Sequence, residues 1–172
     1  MPGRGVATWM DRVLGQIVSR LAQRTGLPHE LVFDTLAPQE VHLMFPPADQ
    51  FVTVTPTQLP ADQGTFAGSG RYAMGLDAVI QVNAFVRIGD DQEFQARRLL
   101  RGSTSSALAL YLKIIDALAG YEIPSDEPNT FAVREPMRLN TLAIDAQRLK
   151  SGQIWSVASS HWQCRFTVNI TP

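Results

Sequence analysis

The chain has 172 residues, 45% of them hydrophobic, with a formal net charge of -1 and one cysteine. That near-neutral balance argues against a general nucleic-acid binder, which carries a basic stripe, and the lone Cys164 excludes an internal disulfide. No apolar run approaches the roughly 20 residues that cross a bilayer, and the opening Met-Pro-Gly-Arg-Gly-Val-Ala lacks the apolar stretch of a signal peptide. The expectation is a single domain, residues 1–172, with a real core, made in a cytoplasm.

In chain order, Trp9–Ala22 predicts an amphipathic helix. Trp9, Val13, Ile17 and Leu21 recur along one line, Met10, Leu14, Val18 and Ala22 flank them, and Asp11, Arg12, Gln16, Ser19 and Arg20 form the other side. Gly26 is placed to cap its C-terminus, with Pro28 beyond. His29–Leu36 reads as a short helix or an irregular connection, and Val41–Phe45 as a brief strand interrupted by Pro46 and Pro47. Phe51–Thr55 alternates Phe-Val-Thr-Val-Thr, and Pro56 and Pro60 confine its end to an edge or an exit. Residues 59–70 have the composition of a mobile loop.

Leu76–Gly89 carries the strongest pattern. Leu76, Ala78, Ile80, Val82, Ala84, Val86 and Ile88 alternate with a second set that includes Asp77, Gln81, Asn83 and Arg87. Period two predicts a long strand, starting as early as Arg71, with one face buried and one face largely wet. Asp90 and Glu93 have helix-start spacing ahead of a short helical turn at Phe94–Arg101. Ala107–Ala119 predicts a helix that is apolar on almost every side except at Lys113 and Asp116, which calls for cover from more than one layer or from a neighbouring subunit. Gly120 stops it. Residues 121–137, with Pro124, Pro128 and Pro136, read as a loop, and Leu142, Ile144 and Ala146 suggest a strand. At the end, Trp162, Cys164, Phe166, Val168 and Ile170 face one way and Gln163, Arg165, Thr167 and Asn169 the other.

Chemistry is sparse. His29, His42 and His161 show no paired metal spacing, so no metal and no cofactor are expected. Cys164 lies three residues from His161, which puts the two on opposite faces of a strand, and an inert core thiol is the better reading. The glycines at Gly64, Gly68 and Gly70 lack the Lys-Ser/Thr of a phosphate-binding loop, and a strand rather than a helix follows them. Arg97, Arg98 and Arg101 form a small basic cluster that reads as a solvated face, or as a contact with DNA or an acidic partner. Trp162 reads as core, whereas Trp155 sits off that register and is expected at an interface.

The pieces Trp9–Ala22, Phe51-Val-Thr-Val-Thr-Pro, Gly70–Ile88, Ser106–Ala119 and Trp162–Ile170 together resemble the tail terminator (minor tail protein U-like) family of long-tailed phages. The resemblance implies an α+β fold, here a mainly antiparallel sheet of about four strands packed against two main helices. It also implies a structural protein rather than an enzyme: a ring, usually a hexamer, that caps the tail tube and joins it to the head connector. Its partners would then be copies of itself, the tube protein and the connector or neck protein, with no membrane and no direct nucleic-acid binding, in the virion tail after assembly in the host cytoplasm. A neck or head–tail completion adaptor is the nearest alternative, and a small ligand-binding domain or enzyme a more distant one. The interface residues expected on this reading are Phe66, Asp77, Gln81, Arg87, Arg97, Arg98, Arg101 and Trp155.

Overall fold

Helix α1 (Val6–Thr25) buries the stripe that its sequence predicts: Val13, Ile17 and Leu21 along one line, with Met10, Leu14, Val18 and Ala22 beside it. Each Val, Leu, Ile or Met among them, fully buried, contributes about 1.5–3 kcal/mol. The helix stops where Gly26 takes φ +77°, a left-handed conformation that glycine alone adopts without strain. There Gly26 N donates to Ala22 O at 3.0 Å and Thr25 Oγ1 to Leu21 O at 2.7 Å, satisfying carbonyls of the last turn. A 3-10 turn, His29–Leu31, leads into the short strand β1 (Val32–Asp34).

The computed structural model describes residues 6–34, 48–58, 65–67, 71–87, 107–125, 131–148 and 154–170. The expected strand at Val41–Phe45, the Asp90–Glu93 turn and the helical turn at Phe94–Arg101 lie outside those residues.

The remaining strands are β2 (Gln50–Gln58), β3 (Thr65–Ala67), β4 (Arg71–Arg87), β5 (Phe131–Arg148) and β6 (Ile154–Ile170), and the second helix is α2 (Ala107–Leu118). The sheet runs β1-β2-β4-β6-β5, with β3 paired to β4 off that path. Among the described residues only the β1–β2 pair is parallel. The α+β class and the two main helices are as expected; the sheet, with five strands in its path plus β3, is larger than the four anticipated. The long strand spans Arg71–Arg87 and pairs with β6 from Tyr72↔Ile170 to Arg87↔Trp155 without a register shift.

Two stretches expected as mobile loops carry strand. Thr65–Ala67, inside 59–70, pairs antiparallel with Arg71–Ala73. Phe131–Met137, inside 121–137, is the first part of β5. Pro136 does not end β5 because the strand lies at the sheet edge and accommodates it through register shifts between Val133 and Thr141. The end of α2 holds this segment: Gly120 N donates to Met137 O and Met137 N to Tyr121 O, both at 3.0 Å.

Both helices cover one face of the sheet. Lys113 Nζ donates to Thr25 O at 3.1 Å and Arg20 Nε to Ala117 O at 3.3 Å, tying α2 to α1. Beneath them, Ala78, Ile80, Val82, Ala84 and Val86 of β4 join Ala158, Trp162, Cys164 and Phe166 of β6 in the main core. The even-numbered alternation of β4 is therefore the helix-facing set, and Trp162 is core as expected.

Candidate functional site: the outer face and the open edge of the sheet

The face of the sheet away from the helices is not uniformly wet. At the β1–β2 end it is closed by a second cluster of Phe51, Phe85, Trp155 and Val157, with Leu31 and Phe33 packed against it. Phe51 stacks on Phe85 at 4.5 Å between centroids and on Phe33 at 5.9 Å, and meets Trp155 edge-on at 5.4 Å. These are offset and edge-to-face geometries of the kind that add to simple area burial. Trp155 is 2% exposed, so the expected interface anchor is a core residue of this cluster. Trp155 does lie off the Trp162 register in β6, and the cover for that position comes from Phe51 and Phe85 of other strands.

Next to the cluster the outer face is polar. Asn83, expected on the wet face, is 2% exposed and donates through Nδ2 to Thr53 Oγ1 at 3.2 Å while accepting from Gln81 Nε2 at 2.9 Å. A buried amide needs such partners, since an unpaired one costs about 1–3 kcal/mol. Gln81 is partly buried in that chain, and its cross-strand neighbour His161 meets Thr141 Oγ1 at 3.0 Å.

Further along lies an ion ladder. Arg165 donates from Nε to Asp77 Oδ1 at 2.7 Å and from Nη2 to Asp77 Oδ2 at 3.3 Å, and reaches Glu135 Oε1 from Nη1 at 3.4 Å. Arg138 approaches the same Glu135 at 3.7 Å. The hydrogen bond from Arg165 holds the Asp77 carboxyl below its usual range; partial desolvation opposes this and charge attraction assists it. Arg87 closes the other end of β4, with Nη1 at 3.8 Å from Asp49 Oδ1.

Of the expected interface residues, the structure thus places Asp77, Gln81 and Arg87 along one outer strand face, in separate polar groups rather than one cluster. Phe66 sits in β3, with Tyr72 as its backbone partner. Arg97, Arg98 and Arg101 lie outside the described residues. Arg165 and Glu135, which complete the ion ladder, do not stand out as site residues in the sequence, where the alternation of Gln163, Arg165 and Thr167 is the available signal; His161 stands out there only as a histidine near Cys164.

Cys164 projects into the helix side of the sheet, its Sγ at 3.9 Å from Ala78 O, while its neighbour His161 pairs across to Gln81 on the outer face. Burial, with the Asp77 carboxylate adding to it, pushes the thiol up to about 12. A thiol so far from ionisation is no nucleophile at neutral pH. Among the described residues no group of three or more His, Cys, Asp or Glu side chains could hold a metal ion, and no helix is long and apolar enough to cross a membrane.

The other notable surface is the β5 edge. β5 ends the sheet path, so its outer side has no strand partner among the described residues. Leu139, Leu142 and Ile144 pair with Trp162, Ser160 and Ala158, so they point to the helix side of the sheet. They are nonetheless 41%, 44% and 47% exposed, and Leu112 of α2 is 54% exposed. These are the exposed large apolar side chains of the described residues. The cover that the sequence of α2 asked for is thus incomplete within the subunit.

Over 96% of its length the chain is similar to 99% of a chain in a solved structure described as "Virion of native gene transfer agent (GTA) particle", with 19% sequence identity and a TM-score of 0.39. A likeness of that depth says nothing about function. No protein-family model and no curated protein matches the chain.

Proposed function

We propose that the chain is a structural subunit of a phage-type tail, a terminator that closes into a ring, taken as a hexamer, caps the tail tube and meets the head connector. The reading is supported chiefly by the β5 side of the molecule, where an 18-residue edge strand carries exposed Leu139, Leu142 and Ile144. Apart from Met137, whose N–H and C=O pair with Tyr121 O and Gly120 N, that edge has no strand partner among the described residues, and natural proteins shield such edges or use them for assembly. An apolar strip alongside it marks a surface that another chain covers. A closed ring needs two different complementary surfaces on every subunit, and a rigid sheet open on one side and closed on the other supplies distinct ones. The resemblance in element order to tail terminators implies the type of ring and its partners.

Sedimentation velocity and electron microscopy test this, on the protein alone at high concentration and with a tail tube protein added. A ring, alone or seated on the tube end, is the expected result. A strict monomer in both conditions would sink the proposal.

A further inference from the structure

An open cleft of about 600 Å³ lies between α1 and the residues Tyr121 and Pro124. Gly15, Gln16, Ser19 and Arg20 of α1 line it, and among the described residues no acid does; Asp11 and Glu122 are exposed outside its lining. Arg12 lines it too but already has a partner within the chain, so Arg20 is the cation that counts. Arg20 is fixed in place. Its Nε donates to Ala117 O at 3.3 Å, and its guanidinium carbon lies 4.9 Å from the centre of the Tyr121 ring. Among the described residues its two Nη groups make no hydrogen bond or ion pair, which leaves an end-on planar fork of the kind that holds a carboxylate.

Gly15 is the second signal. It sits in the interior of α1, where glycine lowers helix stability relative to alanine. Nothing inside the chain asks for it: its φ is not positive, and a Cβ at this position would meet no atom within 4 Å. With Ser19 one turn further on, it leaves a shallow notch in the helix surface at the cleft. A side chain missing where the subunit's own packing does not require it leaves room for the close approach of a backbone from outside. Gln16 adds a polar demand. Its Nε2 donates to Pro124 O at 3.3 Å, while its Oε1 is buried with no hydrogen-bond partner. A small rotation of that side chain toward an incoming backbone N–H pairs the orphan acceptor.

We propose that this cleft docks an extended, acidic segment of a partner protein, with a side-chain carboxylate on the Arg20 fork and the segment's backbone passing over Gly15. Charge decides the class of partner, because an unpaired cation in a cleft without acids selects a carboxylate. The notch and the Gln16 acceptor then select a main chain over a free anion. The docking goes beyond the ring reading and does not rest on it.

Ligand-observed saturation-transfer NMR tests it on the full chain, single or assembled. The probe is acetyl-Gly-Glu-Gly-amide, with its Gln counterpart and acetate beside it. The Glu peptide is expected to bind saturably at roughly millimolar concentration, at least about tenfold tighter than the Gln peptide, in line with one charge-assisted pair. Arg20→Gln should lose that margin; because Arg20 also braces α2, circular dichroism checks its fold. Arg24→Gln, at an exposed arginine of α1 outside the cleft lining, should bind as wild type does. Gly15→Ala is the decisive variant. It should raise the thermal unfolding midpoint by about 2–4 °C, yet weaken the Glu peptide about fivefold or more, since its methyl stands where the peptide backbone passes. Equal binding of the two peptides, an equal loss in Arg24→Gln, a Gly15→Ala chain that binds as wild type does, or no binding at all overturns the proposal and leaves the ring reading untouched. Acetate that displaces the Glu peptide at equal concentration shows a bare anion site and overturns it as well.

Discussion

The two sides of the sheet are finished differently. On the β1–β2 side both faces are closed, by α1 above and by Phe33, Phe51, Phe85 and Trp155 below. On the β5 side the helix layer stops short, leaving Leu139, Leu142 and Ile144 exposed on a strand whose outer edge has no strand partner among the described residues. Both sides are comparably apolar in sequence, so composition does not explain the contrast. One side completes its burial within the chain and so carries the subunit's own stability. The other leaves burial incomplete, and its residues have most to gain from a second chain.

Substitutions can break this contrast in order of size. Phe51→Ala removes the ring at the centre of the closed side's aromatic stack and is expected to cost about 3–5 kcal/mol, read as a lowered midpoint in urea unfolding. If the cost is below about 1 kcal/mol, the closed side is not the stabilising one.

Cys164 gives a pH signature of the same dry core. Its folded pKa, about 12, is raised above the ordinary 9.0, so the fold favours the protonated thiol. That contribution is fully present below pH 9.0 and is lost as pH climbs from there towards 12. The stability advantage of wild type over Cys164→Ala should therefore shrink across that window, and alkylation of the native thiol at pH 8 should be far slower than in the unfolded chain. An equal alkylation rate in the two states would contradict the buried placement.

The smallest effect belongs to the exposed ladder. Asp77→Asn loses the paired contact with Arg165 and should cost no more than about 1 kcal/mol, as solvent-accessible ion pairs do. Since the Asp77 carboxyl titrates below the ordinary 3.8, its contribution is present above that pH and fades as pH falls below it. The difference between variant and wild type should close in acid unfolding curves and stay constant from pH 5 to 8.

Much of the closed side was legible in the sequence. The α1 stripe, its Gly26 cap, the helix-facing residues of β4 and the Trp162–Cys164–Phe166 row of β6 follow from period alone, because local spacing decides them. What period cannot give is the cover on the second face. Asn83 and Trp155 looked like surface positions, yet Phe51, Phe85 and Trp155 are brought together from distant parts of the chain by strand pairing. The first part of β5 was hidden for another reason: Pro124, Pro128 and Pro136 mimic a loop, and only an edge position with register shifts admits Pro136 into a strand. The exposure of Leu142 and Ile144 was equally invisible, since their alternation matches that of a buried strand.

The most direct test of the open side is Leu142→Glu/Ile144→Glu, with ring formation and tube binding followed by electron microscopy beside urea unfolding of the subunit. Exposed positions tolerate such changes to within about 0.5 kcal/mol each, so the account predicts a subunit that folds with nearly wild-type stability and no longer assembles. A folded variant that still forms rings and binds the tube as wild type does would contradict the claim that this side is completed by another chain.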